Sequence, residues 1–425
     1  MTISALYKIF LLFPSVETDT RKIKPGDIFF ALKGPNYNGN LFAGNALALG
    51  APYCICDEIS PNKDDRIIYV NNVTETLQQL AKYHREKLDI PFIAITGSNG
   101  KTTTKELVHA VLSRKFRCYT TQGNLNNHIG IPLTILSVRK DAELAIIEMG
   151  ANHLHEIEGY CKYTLPTHGL ITNCGKAHLE GFGGEEGVKK GKGELYDFLI
   201  LTQGTLFIYT DYDYLIKMSE GIKNKITYGS ESGDFTGEII QSDYLLQVKI
   251  KKGADTGIIK TNLAGNYNLP NVMSAVCIGK TFGVADTEIK NALQNYIPSN
   301  SRSQIINYGS NKVILDAYNA NPSSMAAAIE NFAAMDAAKK ILILGSMMEL
   351  GEDSKTEHKA IIELIRRNNW YQVAVAGIGY TDLPDNIMHF KNAEETAVWF
   401  RKQNFENAFI LVKGSRGMQM EKVLE

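Results

Sequence analysis

Cysteine is sparse in this chain and scattered: six residues, at 54, 56, 118, 161, 174 and 277, with no CxxC pair among them. That spacing argues against a disulfide framework or a cysteine-built zinc site and suits the reduced thiols of a cytoplasm. An excess of charge of one sign is also missing. Lys plus Arg number 45 and Asp plus Glu 46, giving a net charge of -1. This balance removes the long-range field of a generic nucleic-acid binder, although a local basic groove stays open. No apolar run approaches the ~20 residues needed to cross a bilayer. The apolar stretch Leu6 to Phe13 is short and interrupted by Lys8, with no basic leader or small-residue cleavage site. It reads as a core element of the first block. Internal repeats and low-complexity tracts are absent. These absences predict a cytoplasmic protein that inserts into no membrane and binds no nucleic acid.

What is present is ordinary globular material, 44% hydrophobic and 21% charged over 425 residues. At roughly 150 residues per domain that length suits about three domains. Residues 1–88 form a first α/β block, with the turn signal Lys24-Pro25-Gly26-Asp27, the strand-like Ile28 to Leu32, and a Gly-Asn-rich stretch from Gly34 to Gly44. Residues 89–298 alternate buried-strand candidates (Phe92 to Thr96, Leu144 to Ile147, Gly169 to Thr172, Thr205 to Tyr209) with helical patterns. Such alternation predicts a mostly parallel sheet covered on both faces. From about 226 to 265 short strands without helices suggest an antiparallel insertion, and an apolar helix from Leu269 to Phe282 closes the block. Residues 299–425, opening near Pro298-Ser299-Asn300-Ser301, repeat the alternation as a smaller Rossmann-like α/β unit. Strands there are expected at 313–315, 341–344, 373–375 and 409–412, and helices at 322–335, 355–367 and 393–403. Asn321 is the cap and Pro322 the first residue of the first helix.

One motif carries clear chemistry. Thr96-Gly97-Ser98-Asn99-Gly100-Lys101-Thr102-Thr103-Thr104 follows a strand and opens a helix, as a phosphate-binding loop requires. Its glycines let backbone N–H groups turn toward an anion, Lys101 reaches the β and γ phosphates of a nucleotide, and the Thr102 hydroxyl suits Mg²⁺. Ile95 stands where the full Walker spacing asks for its first glycine, so this is the shorter G-x-x-G-K-T form. A plain glycine turn with a helix cap is the alternative. Glu148, ending the run Ala145-Ile146-Ile147, is placed to complete Mg²⁺ coordination or simply to face solvent. His178, near another strand end, is a metal ligand or a structural histidine. Lys192 lies in Lys189-Lys190-Gly191-Lys192, which reads as a solvated basic segment within which nothing distinguishes it.

Taken together, these motifs resemble the Mur ligase family, and the resemblance spans essentially the whole chain. It is carried by 96–106, by Gly123 to Pro132, and by the segments around Glu148 and His178. In the last block it is carried by Asp316 to Met325, Ile343 to Gly351 and Leu411 to Arg416. The resemblance implies an ATP-dependent ligase working through an acyl phosphate with two Mg²⁺ ions. The last-block segments are similar to the member that joins D-alanyl-D-alanine to UDP-N-acetylmuramoyl-tripeptide, the last cytoplasmic amide-forming step of peptidoglycan precursor synthesis. Such a chain is expected to act as a monomer.

Further roles follow from the resemblance alone. Lys101, His178 and Lys192 would be catalytic, with Lys192 carbamoylated by CO₂. Thr102, Glu148, His178 and Lys192 would hold metal. Gly97, Ser98, Asn99, Gly100, Thr102, Thr103, Asn268, Asn271, Arg302 and Asp316 would meet the nucleotide, and Thr20, Arg21, Asn126 and Asn127 the acceptor. Asn38-Gly39-Asn40, Tyr267 and Ser346 depart from the family's usual Asp-Gly-His, His and Asp. The Asp-Asn-Pro-Arg signature of the diamino-acid-adding sister is absent. A folylpolyglutamate-type ligase, or a nucleotide-binding regulator that hydrolyses ATP as a switch, are the alternatives.

Overall fold

The computed structural model describes residues 1–59, 64–240, 244–299 and 301–425. Asn300, in the turn expected to open the last block, lies outside them, as do residues 241–243 of the expected antiparallel stretch.

Continuous apolar runs become strands buried on both faces. Phe92–Thr96 and Leu144–Glu148 are buried at every position and pair in parallel, Ile95 opposite Glu148. His168–Ile171 flanks Phe92–Thr96 on the other side, Ile171 opposite Thr96. These three neighbours therefore end level, and their following loops emerge together at the carboxyl edge, where open α/β sheets hold ligands. They lie toward one side of a nine-stranded sheet, with Cys118–Thr120 beyond them at its edge. Over it the helix Lys101–Leu112 buries Leu107, Val108, Val111 and Leu112 against the helix Leu269–Thr281. A Cβ at Gly279 would run into Val111, so the missing side chain lets these helices approach closely.

The expected antiparallel insertion is instead the outer half of this same sheet. Asn224–Gly229 pairs in parallel with Thr205–Tyr209, and Phe235–Ile240 begins parallel to it at Tyr228 opposite Phe235. Among the described residues only Leu245–Lys252 runs against the others, pairing antiparallel with Phe235–Ile240 on one side and with Ile258–Ala264 on the other. Leu245–Lys252 alternates buried and open positions, the signature of a strand covered on one face, and this reads in sequence as a separate module.

The N-terminal residues build a smaller four-stranded parallel sheet, Val16–Glu17, Ile28–Phe30, Cys54–Cys56 and Ile67–Tyr69. The helix Ile3–Leu12 buries Leu6, Tyr7 and Phe10 against the helix Val73–Arg85, which also packs on the central helices Gly130–Ser137 and Glu156–Thr164. The last block is a six-stranded sheet in which only Gln304–Tyr308 and Asn311–Asp316 pair antiparallel. Its helix Pro322–Ala334 starts as expected, Asn321 forming a reciprocal capping box with Ser324. All six cysteines are free. Among the described residues no helix is long and apolar enough to cross a membrane.

One half-buried histidine has a measurable consequence. His168 stacks on Phe207 and lies 5.2 Å from Phe282, and burial pushes its pKa down to about 4. Unfolding returns it to about 6.5, so the unfolded chain binds more protons between these values. The stability it confers is full above pH 6.5 and is lost as pH falls toward 4, on the order of 2 kcal/mol by pH 4.5. His168→Phe keeps the ring stack and should lose less denaturation midpoint than wild type between pH 7 and 4.5. Equal losses would disprove the assignment.

Candidate active site

The phosphate loop takes its shape from two glycines. Gly97 sits at φ +138, where a Cβ would strike the Thr172 hydroxyl; Gly100 sits at φ +79, its would-be Cβ 2.7 Å from Asn271 Oδ1. Both positions need left-handed backbone and close neighbours, which only glycine allows cheaply. No side chain caps the helix that starts at Lys101. Its first N–H groups and the positive end of its dipole therefore face the cavity. Lys101 folds over the loop, Nζ donating to Gly97 O at 2.7 Å and Ser98 O at 3.2 Å. Burial lowers its pKa, with the Glu148 carboxylate opposing and Arg302 adding to the shift.

Glu148 is 1% exposed. Its Oε1 accepts from Thr102 Oγ1 at 3.1 Å and Asn126 Nδ2 at 2.8 Å, while Oε2 is buried with no partner among the described residues. A carboxylate oxygen left unpaired beside a threonine hydroxyl suits a hard divalent cation with oxygen ligands. Thr102 and Glu148 thus fit one Mg²⁺.

The other two expected ligands are arranged differently. His178, in left-handed backbone at φ 54, pairs through Nδ1 with Glu349 of the last block. Lys192 is wholly buried on the helix Glu185–Thr202, Nζ donating to Ala151 O at 2.9 Å and lying 4.8 Å from the Phe182 ring centre. Burial, helped by the Lys101 charge, lowers its amine to about 7. The solvated reading of this segment is therefore corrected. Val188, Lys192, Leu195 and Leu199 are buried at helical spacing, so the period that turns Val188 inward also turns Lys192 inward, while Lys190 faces out. Among the described residues no three His, Cys, Asp or Glu side chains converge as a metal site. As an ammonium, Lys192 does not fit a second cation.

A cavity of about 680 Å³ collects most of the expected residues: Ser98 to Thr103, Asn126, Asn127, Glu148, His178, Asn268, Asn271, Arg302 and Asp316 all line it. Gly97 and Lys192 lie just behind its wall. Asn271 ties the loop to its neighbours, accepting from Thr104 Oγ1 at 3.0 Å and donating to Asn268 Oδ1 at 2.8 Å. Asp316 binds Lys413 at 2.6 Å, and Arg302 stacks on Tyr318 at 3.6 Å. Thr20 and Arg21 stay outside the cavity, Arg21 exposed and paired with Asp19 at 2.8 Å.

Sequence reading missed the contacts by which the last block meets the loop. Asn321, seen there only as a cap, spends Oδ1 on Ser324 N and donates through Nδ2 to Asn99 Oδ1 at 2.8 Å. Partners 222 residues apart leave no local signal, although a capping asparagine always keeps its amide N–H₂ for another partner.

A strand, a glycine turn and an uncapped helix beside a buried carboxylate define a mononucleotide-binding α/β protein whose site is completed by its last sheet. Three family descriptions cover the chain: "Mur ligase family, catalytic domain" at 13–86, "Mur ligase middle domain" at 95–279, and "Mur ligase, glutamate ligase domain" at 301–416. The UDP-N-acetylmuramoyl-tripeptide–D-alanyl-D-alanine ligase of Bacillus subtilis is 33% identical over 96% of this chain and 92% of that protein. A crystal structure of MurF from Acinetobacter baumannii superposes with TM-score 0.87 at 30% identity, covering 96% and 92%. The MurF ligase of Thermotoga maritima in complex with ADP gives 0.84 at 26%, covering 97% of each chain. The chain belongs to the Mur ligase family.

Proposed function

We propose that this chain uses ATP to join D-alanyl-D-alanine to UDP-N-acetylmuramoyl-tripeptide, releasing ADP and phosphate, as a cytoplasmic monomer. The observation that carries the reading is the single cavity in which the phosphate loop, Glu148 and the 316–324 segment of the last block meet. The full-length relatives with that named activity, at about a third identity, support it.

A carboxylate and an amine do not condense in water unaided, so the acid must be activated. An oxygen of the tripeptide's terminal carboxylate attacks the γ phosphorus and ADP leaves. The dipeptide amine then attacks the acyl carbon, loses a proton, and phosphate departs. The residues mainly position the reactants and balance charge. Helix N–H groups, Lys101 and Arg302 hold the phosphate oxygens; Asn268, Asn271 and Asp316 hold the rest of the nucleotide. Asn126 and Asn127 face the acceptor's peptide end, with Thr20 and Arg21 at its UDP end. Thr102 and Glu148 would hold a Mg²⁺ ion, which when bound would neutralise phosphate charge. Carbamoylation of Lys192 would replace its ammonium with two oxygens and give His178 a partner for a second ion. Complete burial of the amine, with no carboxylate among the described residues bonded to it, supports that modification.

Phosphate release is the test, run with tripeptides ending in meso-diaminopimelate or lysine, with and without D-alanyl-D-alanine. Release that needs both peptide substrates is expected. Release with folate as acceptor would favour the folylpolyglutamate-type reading, and slow hydrolysis indifferent to dipeptide would favour the regulator.

A further inference from the structure

The segment Asn173 to His178 touches two bodies at once. On one side it holds the phosphate loop. Asn173 O accepts from Ser98 N at 2.8 Å and Asn173 Oδ1 from Asn99 N at 3.0 Å, while Gly175 O accepts from Ser98 Oγ at 3.0 Å. On the other side it holds the last block. Lys176 N donates to Ser323 Oγ at 2.9 Å, and Lys176 Nζ binds Glu357 Oε1 at 2.6 Å. The Glu357 side chain, on the helix Ser354–Arg366, is only 11% exposed. A half-covered pair between two bodies is held more firmly than an exposed one, because water screens it less and removing one partner strands the other. The second charge near Lys176 is Glu185 at 3.7 Å, on the central block itself, so the closer contact is the one that crosses to the last block.

We propose that the Lys176–Glu357 ion pair is a positioning clasp: it docks the last block and thereby sets the segment that carries His178 against the phosphate loop. This rests on the ligase reading above. Lys176 does not line the cavity. Its effect passes through Ala177, the one residue between it and His178, and through the Ser323 contact beside Asn321. Without the ion pair the segment keeps its contacts to the loop but holds the last block only through Ser323 and Glu349, so nucleotide still binds but the assembled geometry is populated less often.

The test is a double-mutant cycle on the full chain, with ATP, Mg²⁺, UDP-muramoyl-tripeptide and D-alanyl-D-alanine. Lys176→Met and Glu357→Gln should each lower kcat by about tenfold, since a misplacement of ~1 Å can cost up to a hundredfold. The KM for ATP should stay within about twofold, and the double variant should be no worse than the worse single one. Ser323→Ala removes the neighbouring anchor without touching a charge, and a several-fold loss in kcat is expected there even if a charge variant folds poorly. Singles within twofold of wild type, or effects that multiply in the double variant, overturn the proposal. Small-angle scattering with ADP and Mg²⁺ separates this from failure of the ligase reading. Lys176→Met should have a larger radius of gyration than wild type, and equal radii overturn the clasp whatever reaction the chain catalyses.

Discussion

Lys101→Ala is expected to lower peptide-dependent phosphate release by on the order of 10²–10³-fold, the usual cost of deleting one preorganised electrostatic contact in a phosphoryl-transfer site. The side chain contributes little to folding, since its two hydrogen bonds go to Gly97 and Ser98 carbonyls at the cavity edge, where water can replace it. It contributes strongly to charge. The γ phosphate gathers negative charge as the carboxylate arrives, and among the described residues the Lys and Arg side chains lining the cavity without a carboxylate partner within salt-bridge range are Lys101 and Arg302; Lys413 is tied to Asp316. Lys101→Arg should not restore the rate, because a planar guanidinium cannot replace a point charge folded over a tight loop. Single-turnover phosphate release at saturating ATP reads the chemical step, and a thermal melt checks the fold. Turnover within tenfold of wild type, with the fold intact, would remove Lys101 from the mechanism.

The phosphate loop was legible because its signals are local. An apolar run, a glycine turn and a helical period meet within twenty residues, and Phe92–Thr96 forms as read. Glu148 was legible as the carboxylate ending a buried strand. The Asn321 cap was equally plain, being a four-residue pattern. Lys192 was hidden for a different reason: charge-rich composition drew the eye from the helical spacing that buries it with Val188, Leu195 and Leu199. Short, half-covered strands such as Cys118–Thr120 and Gln304–Tyr308 carry too few buried residues to stand out from loops. The contacts that close the site, Asn99 with Asn321 and Lys176 with Glu357, join residues far apart in sequence. Local propensity contains nothing about them, and only the packed sheets bring them together.

Lys192→Ala is expected to reduce turnover by a similar factor, on the order of 10²–10³, and part of the lost rate should return on adding a short carboxylic acid such as acetate or formate. The argument starts from burial. An ammonium enclosed between Ala151 O and the Phe182 ring has lost most of its hydration, and desolvation brings the amine down to about 7. Near neutral pH a substantial fraction is therefore the free base, the form that can add CO₂ and release a proton. The product carries a negative charge under a cavity that already holds Lys101, so electrostatics favour it where they oppose the ammonium. Alanine removes both forms and leaves a pocket about the size of a small acid, whose two oxygens can occupy the place of the carbamate's. Stripping CO₂ and bicarbonate from wild type should likewise lower its rate and leave the alanine variant unchanged. If no acid rescues the variant and its Mg²⁺ affinity equals that of wild type, then Lys192 is a buried structural lysine and the second ion has no ligand at this position.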